Sequence, residues 1–153
     1  MVIDNNSSGQ NWEFNNPGGQ STGFTGNFAI LDSDNYGSGG SQNSTLESPI
    51  FNANVAGTIF LNFSNHFRSY SGSSGLVEVF DGTNWTSVLS LTSSDGYPTS
   101  NSKSIDITTE TGGNSGAKVR FTYVGSWRYY WAIDDISIVA VSCLPPTALG
   151  VSV

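Results

Sequence analysis

Apolar residues recur along this chain at every second position in short runs, and no stretch of ten or more residues holds a 3.6-residue apolar period. In TIFLNF (58–63), Ile59, Leu61 and Phe63 fall on one face. In GLVEVF (75–80), Val77 and Val79 take one face, and Leu76, Glu78 and Phe80 the other. AKVRFTYV (117–124) alternates likewise, with Val119, Phe121 and Tyr123 opposed to Lys118, Arg120 and Thr122. SVLSL (87–91), SIDIT (104–108) and YWAIDDISIV (130–139) continue the pattern. Each run is bounded by turn signals: NNPGG, YSGSSG, DGTNW, SSDGYP and ETGGNSG. The spacing predicts about eight or nine strands, and the DGTN turn between two apolar runs predicts a hairpin. Without helices for crossovers, these strands imply an all-β, two-layer antiparallel β-sandwich. The long connection DSDNYGSGGSQNS (32–44) favours a jelly-roll over an immunoglobulin-like arrangement.

Composition sharpens this picture. Only 11% of the 153 residues are charged, against roughly 25% in soluble domains, and Asn, Ser, Thr and Gly replace them. Five basic residues against twelve acidic ones leave a net charge of −7. A surface of that sign repels phosphate backbones, so nucleic acid is excluded as a partner. No stretch approaches the roughly 20 apolar residues of a membrane span, so membrane insertion is not expected. Met1 stands directly before what reads as the middle of a domain, so the lack of a signal peptide says nothing of localisation. Cys143 is the one cysteine, hence no internal disulfide. The low charge with abundant Asn and Ser points to a secreted or cell-surface protein.

The candidate chemistry begins with WAIDDI (131–136). On a regular strand, Asp134 and Asp135 point to opposite faces and cannot act as a glycosidase pair, whose carboxylates face each other across one site. A carboxylate in an apolar strand still needs backbone donors, an Arg or a cation. Asp32 and Asp34, two apart in DSDN, offer further oxygens of the kind calcium takes. The expected metal site therefore uses Asp32, Asp34 and the Asp134–Asp135 pair, with the choice within that pair open; the alternative is a solvated turn and a carboxylate capping backbone. SWRYYW (126–131) puts Trp127, Tyr129 and Trp131 on one side and Tyr130 on the other if it is a strand. Trp131 reads as core. Trp127, Tyr129 and Tyr130 read equally as core or as a sugar-stacking platform, with His66, Arg68 and Arg128 as polar contacts and the arginines suited to acidic groups on a ligand. His66 is the single histidine, opposite in phase to Leu61, Phe63 and Phe67. No nucleophile elbow, zinc-protease, P-loop or dinucleotide motif occurs, so a binding module is favoured over an enzyme.

Four stretches, LESPIF, IFLNFSNHF, GLVEVFDGTNWTSV and VRFTYVGSWRYYWAIDDISI, follow in order from 46 to 138. Together they resemble MAM-type and cleaved-adhesin (choice-of-anchor J) jelly-roll domains of secreted bacterial multidomain proteins. The resemblance spans about residues 10–140 and implies a non-catalytic module, appended to an enzyme or adhesin, with structural calcium at the aspartates named above. Two departures stand out: the family's opening Phe-Pro…Gly-Trp strand is missing, and the cysteines of animal MAM domains are reduced to Cys143, which favours the bacterial branch. Residues 1–141 are thus expected to form the module, with its first strand truncated. Residues 142–153, SCLPPTALGVSV, read as a Pro-containing linker and the start of a following domain resembling fibronectin type III, or as a loose C-terminus. The expected function is polysaccharide binding; the alternative is protein adhesion or a spacer that sets the geometry of neighbouring domains.

Overall fold

A computed structural model describes residues 1–142; Cys143 and the proposed start of a further domain lie outside the described residues. The strands are β1 (Val2–Asp4), β2 (Ala29–Asp32), β3 (Gln42–Glu47), β4 (Thr58–Ser69), β5 (Ser74–Phe80), β6 (Trp85–Leu91), β7 (Asn101–Asp106), β8 (Lys118–Gly125) and β9 (Tyr129–Val141). They form two antiparallel sheets, one ordered β1-β3-β8-β5-β6 and the other β2-β9-β4-β7. This is the expected all-β sandwich. The 32–44 connection is more ordered than a loop: it holds a single helical turn, α1 (Ser33–Tyr36), followed by a 3₁₀ turn, Gly37–Gly39. Asp32 caps α1 by accepting the Asn35 N–H at 3.0 Å.

The alternation seen in the sequence sets which residues meet between the sheets. Ile59, Leu61, Phe63 and Phe67 from β4 pack against Val77 and Val79 of β5 and against Val119, Phe121 and Tyr123 of β8. Trp131 of β9 lies among them, with Trp12, Phe67 and Phe121 ring centroids at 5.4, 5.8 and 6.0 Å. Its indole N–H donates to Asn65 Oδ1 at 2.8 Å, so the polar edge of a buried ring is satisfied. Gly75 in β5 is required there, since a Cβ at that position would stand 3.0 Å from the Trp131 ring. The DGTN hairpin joins β5 to β6 as expected, with Asp81 Oδ1 accepting the Thr83 and Asn84 N–H groups, both at 2.7 Å, and Gly82 at φ 98°.

A second, smaller cluster occupies the outer face of the four-stranded sheet. Ile30, Tyr130 and Ala132 are buried there with Phe28, beneath the Gly-, Asn- and Ser-rich segment that precedes β2. That cover accounts for a buried His66 on the same face.

The Asp134–Asp135 pair breaks the strand rather than continuing it. Asn62 pairs with Ser137 and Ser64 with Asp134, so two β9 residues oppose the single Phe63 of β4. This is a β-bulge, and Asp135 adopts φ 51° within it. The bulge shifts the side-chain phase by one: Trp131 and Ile133 face the core before it, and Ile138 does so after it. The expectation that two adjacent carboxylates project to opposite faces is therefore corrected, because alternation does not hold across a bulge. Asp134 Oδ1 accepts the Asp135 N–H at 2.9 Å, and Asp135 Oδ2 accepts the Ser64 hydroxyl at 3.1 Å.

Candidate functional site

The aromatic site stands where β4 ends and β9 begins, strands that pair Arg68 with Tyr130 and Ser69 with Tyr129. After β4 the chain turns at Tyr70–Ser73, closed by the Ser73 N–H donating to the Tyr70 carbonyl at 3.1 Å, with Gly72 at φ 92°. Between β8 and β9 it turns again at Ser126–Arg128. Three contacts hold that second turn: Ser126 Oγ donates to the Gly40 carbonyl (2.6 Å), the Arg128 N–H to Ser33 Oγ (3.0 Å), and the Tyr123 hydroxyl to the Arg128 carbonyl (3.2 Å). The 32–44 connection thus serves as a brace for the turn.

Trp127 has φ 51° and Tyr129 φ 63°. Bulky side chains rarely adopt the left-handed region, and each such residue costs about 1–3 kcal/mol. Burial does not compensate for Trp127, which is 56% exposed. Tyr70 is 58% exposed beside it, and its ring meets that of Tyr129 edge-on with centroids 6.2 Å apart. With Asp34 and Arg128 these residues line an open recess of about 250 Å³. Two guanidinium groups are layered into the same surface. Arg68 Cζ lies 3.7 Å from the Tyr129 ring centroid and 4.7 Å from that of Tyr97, and Arg128 Cζ lies 5.3 Å from that of Tyr70. The result is a continuous run of aromatic rings and cations: Tyr97, Arg68, Tyr129, Tyr70, Arg128.

Of the six ligand contacts expected from sequence, the fold brings Trp127, Tyr129, Arg68 and Arg128 together at this surface and removes two. Tyr130 and His66 are buried on the covered outer face and belong to its packing. The His66 Nδ1 meets the Thr22 carbonyl at 2.8 Å, and its Nε2 meets the Tyr130 hydroxyl at 3.2 Å. Burial holds the His66 imidazole below its ordinary pKa, the Thr22 carbonyl opposing and the Arg68 charge adding to the effect. Burial likewise pushes the Tyr130 phenol up. Phase alone put these two residues on a non-core face, and the segment that buries them carries no apolar period to announce it. Tyr70 and Tyr97 were the residues missed: each sits in a Gly/Ser or Gly/Pro turn, YSGSSG and DGYP, where no strand pattern points to a site.

The four aspartates do not converge. Among the described residues no three His, Cys, Asp or Glu side chains gather where a metal ion would be held. Asp32 is buried and accepts from the Asn35 N–H and from Gln20 Nε2 (3.0 Å). Burial pushes its carboxyl above the usual range, with those donors opposing. Asp34 is exposed at the recess, and Asp134 and Asp135 hold the bulge. The four aspartates thus stand in three separate settings, and the expected calcium, with the choice within the Asp134–Asp135 pair open, has no cluster of three carboxylates to draw on among the described residues.

A larger recess of about 480 Å³ lies along the second half of β9, lined by Leu46, Ile50, Phe51, Val119, Ile136 and Ile138 among others. It is mainly apolar and lacks the ring–cation contacts of the first.

No protein-family model matches the chain, and no curated protein matches it. Solved structures do share its fold. Two cleaved-adhesin domains of Lys-gingipain from Porphyromonas gingivalis superpose with TM-scores of 0.65 and 0.63, each at 17% identity. The first alignment covers 93% of this chain and 90% of that domain, and the second 91% and 90%. The carbohydrate-binding module TmCBM61, in complex with β-1,4-galactotriose, superposes with a TM-score of 0.57 at 16% identity, over 92% of this chain and 88% of that one. The chain has the jelly-roll fold of cleaved-adhesin and carbohydrate-binding modules.

Proposed function

We propose that this domain is a non-catalytic carbohydrate-binding module of a secreted or cell-surface protein, and that polysaccharide binds at the recess of Trp127, Tyr129, Tyr70 and Arg128. The observation that carries the proposal is Trp127: a large aromatic held exposed, in an unfavourable backbone conformation, by three hydrogen bonds to its turn. Strain of that kind is kept where the surrounding structure fixes a side chain for use. Trp127 and Tyr70 would stack on the C–H faces of sugar rings, as aromatic platforms do. Asp34 would accept hydroxyl hydrogen bonds, and Arg128 would donate them. The fold shared with TmCBM61, whose structure contains a galactose trisaccharide, supports this reading. The recess is lined by one carboxylate, Asp34, where glycoside hydrolysis uses two facing each other.

Affinity gel electrophoresis against neutral, uronate-containing and sulfated polysaccharides tests the proposal. Retardation by at least one class, abolished in Trp127→Ala and Tyr129→Ala with folding intact, is the expected result. Retardation that both variants retain would move the site elsewhere. A second reading, protein adhesion or spacing between domains, draws on the mainly apolar recess along β9. It predicts no polysaccharide binding and a protein contact of about 800 Å² per partner.

A further inference from the structure

The chain has five basic side chains, and their pairing divides them sharply. Lys103 is bound to Asp95 (2.8 Å), Lys118 to Glu47 (2.8 Å) and Arg120 to Glu78 (2.6 Å). Arg68 and Arg128 have no carboxylate partner among the described residues, although twelve acidic residues are present. Of these two cations, Arg128 lines the aromatic recess and Arg68 lies beside it, against the ring of Tyr129. Arg120 supplies an internal comparison, since its guanidinium also lies over a ring, that of Trp85 at 4.0 Å, yet it is neutralised by Glu78. Stacking on an aromatic ring therefore does not by itself leave an arginine unpaired in this molecule.

The Arg68 Cζ lies 4.7 Å from the Tyr97 ring centroid and 3.7 Å from that of Tyr129, and a guanidinium held beside rings keeps a planar fork of N–H donors that can take a carboxylate or a sulfate bidentately. In a protein of net charge −7, polyanions are repelled almost everywhere, so two uncompensated cations beside a sugar-stacking surface select for charge at that place. Asp34, the one carboxylate lining the recess, forms no ion pair with either arginine and is suited to hydroxyl groups.

We propose that the recess recognises an anionic polysaccharide, its carboxylate or sulfate groups held by Arg68 and Arg128 while Trp127 and Tyr70 stack on the sugar rings. This rests on the carbohydrate-binding reading and narrows it to one ligand class.

The test is titration calorimetry with two matched pairs of polymers: polygalacturonate against its methyl ester, and a sulfated galactan against the same galactan desulfated. At least one anionic member is expected to bind about tenfold or more tightly than its neutral partner at low salt, the scale of one charge-assisted contact. That advantage should shrink as salt screens it. Which pair shows it separates uronate from sulfate ester. Arg128→Gln is expected to remove most of the preference without changing the melting temperature, and Arg120→Gln to keep it. Equal affinity for charged and neutral partners, a preference indifferent to salt, or a preference that survives Arg128→Gln would overturn the inference while leaving carbohydrate binding in place. No binding to any of the four polymers would overturn both.

Discussion

The recesses at the two halves of β9 are built on different principles. The first is at the Tyr129 end, formed by turns, with exposed rings, unpaired guanidinium groups and two residues in left-handed backbone. The second follows Ile136 and Ile138, where β9 has passed the bulge and no longer pairs with β2, whose last partner is Ile133. It is larger and more apolar, yet holds no strained residue and no aromatic–cation pair. Size and greasiness alone would select the second. The first is the one in which the fold expends conformational energy on Trp127, a side chain left exposed, and that difference separates a recognition surface from a seam between packed layers.

Tryptophan substitutions give the largest separation. Trp131→Ala removes the ring that Trp12, Phe67 and Phe121 surround and leaves Asn65 Oδ1 without its donor. A loss of about 3–5 kcal/mol in unfolding free energy is expected, measurable by urea titration. Trp127→Ala, four residues earlier, should leave the unfolding free energy within about 0.5 kcal/mol of the parent. If Trp127→Ala destabilised the domain as Trp131→Ala does, the exposed ring would be a packing residue and the contrast between the two halves would fail.

The bulge between the halves comes next. Asp134→Ala deletes the acceptor of the Asp135 N–H at the point where β9 changes phase. The expected cost is about 1 kcal/mol, the net worth of one such hydrogen bond, read from the same denaturant curve. A much larger loss would mean that the bulge fixes the register of Ile136 and Ile138 as well as its own geometry.

His66 gives a pH signature confined to the covered outer face. Its folded pKa is lowered by burial, so the imidazole is neutral in the folded state and the unfolded chain takes up the proton first. Its contribution is complete above the unfolded value of about 6.5 and is lost as pH falls from there through the folded value. Asp32, with a raised carboxyl, has the opposite sign, and the lowered carboxyl of Asp95 acts at more acid pH. For Asp95, burial pushes upward but the Lys103, Asn101 and Asn65 donors outweigh it. Melting temperature should therefore decline between about pH 7 and pH 5, and His66→Gln should flatten that decline. A decline unchanged in the variant would show that His66 is not the group taking up the proton.

What the sequence made legible follows from where periodicity exists. Ile59, Leu61, Phe63, Val77, Val79, Val119, Phe121 and Tyr123 alternate, and the sandwich core is built from them. The DGTN turn was equally plain, because Asp and Gly at those positions have a local reason to turn the chain. The site was half legible. SWRYYW drew attention by composition, but its assignment to faces assumed a strand, and residues 126–128 form a turn instead. Tyr130 does lie on the face opposite Trp131, but that face is covered. His66 lies there with it, and the Gly- and Asn-rich segment that buries both has no pattern of its own. Tyr70 and Tyr97 became site residues only through tertiary placement, each beside an arginine from β4 or from the β8–β9 turn.

Calcium gives the smallest expected effect. The resemblance to cleaved-adhesin domains implied a structural ion drawing on Asp32, Asp34 and the Asp134–Asp135 pair, the choice within the pair open, and an ion in tenfold excess over its Kd would add about 1.4 kcal/mol to stability. The fold gives three of those carboxylates hydrogen-bonded roles, Asp32 at the α1 cap and Asp134 and Asp135 in the bulge, and leaves Asp34 alone at the recess. Melting curves and polysaccharide affinities measured with added calcium and with chelator separate the outcomes, and coincidence of both would leave these carboxylates to their hydrogen-bonded roles alone. A chelator-sensitive melting temperature with unchanged affinity would place an ion near the bulge half of β9, away from the aromatic recess. Sensitivity of affinity alone would instead tie the ion to Asp34, the one aspartate of the four that faces the proposed ligand.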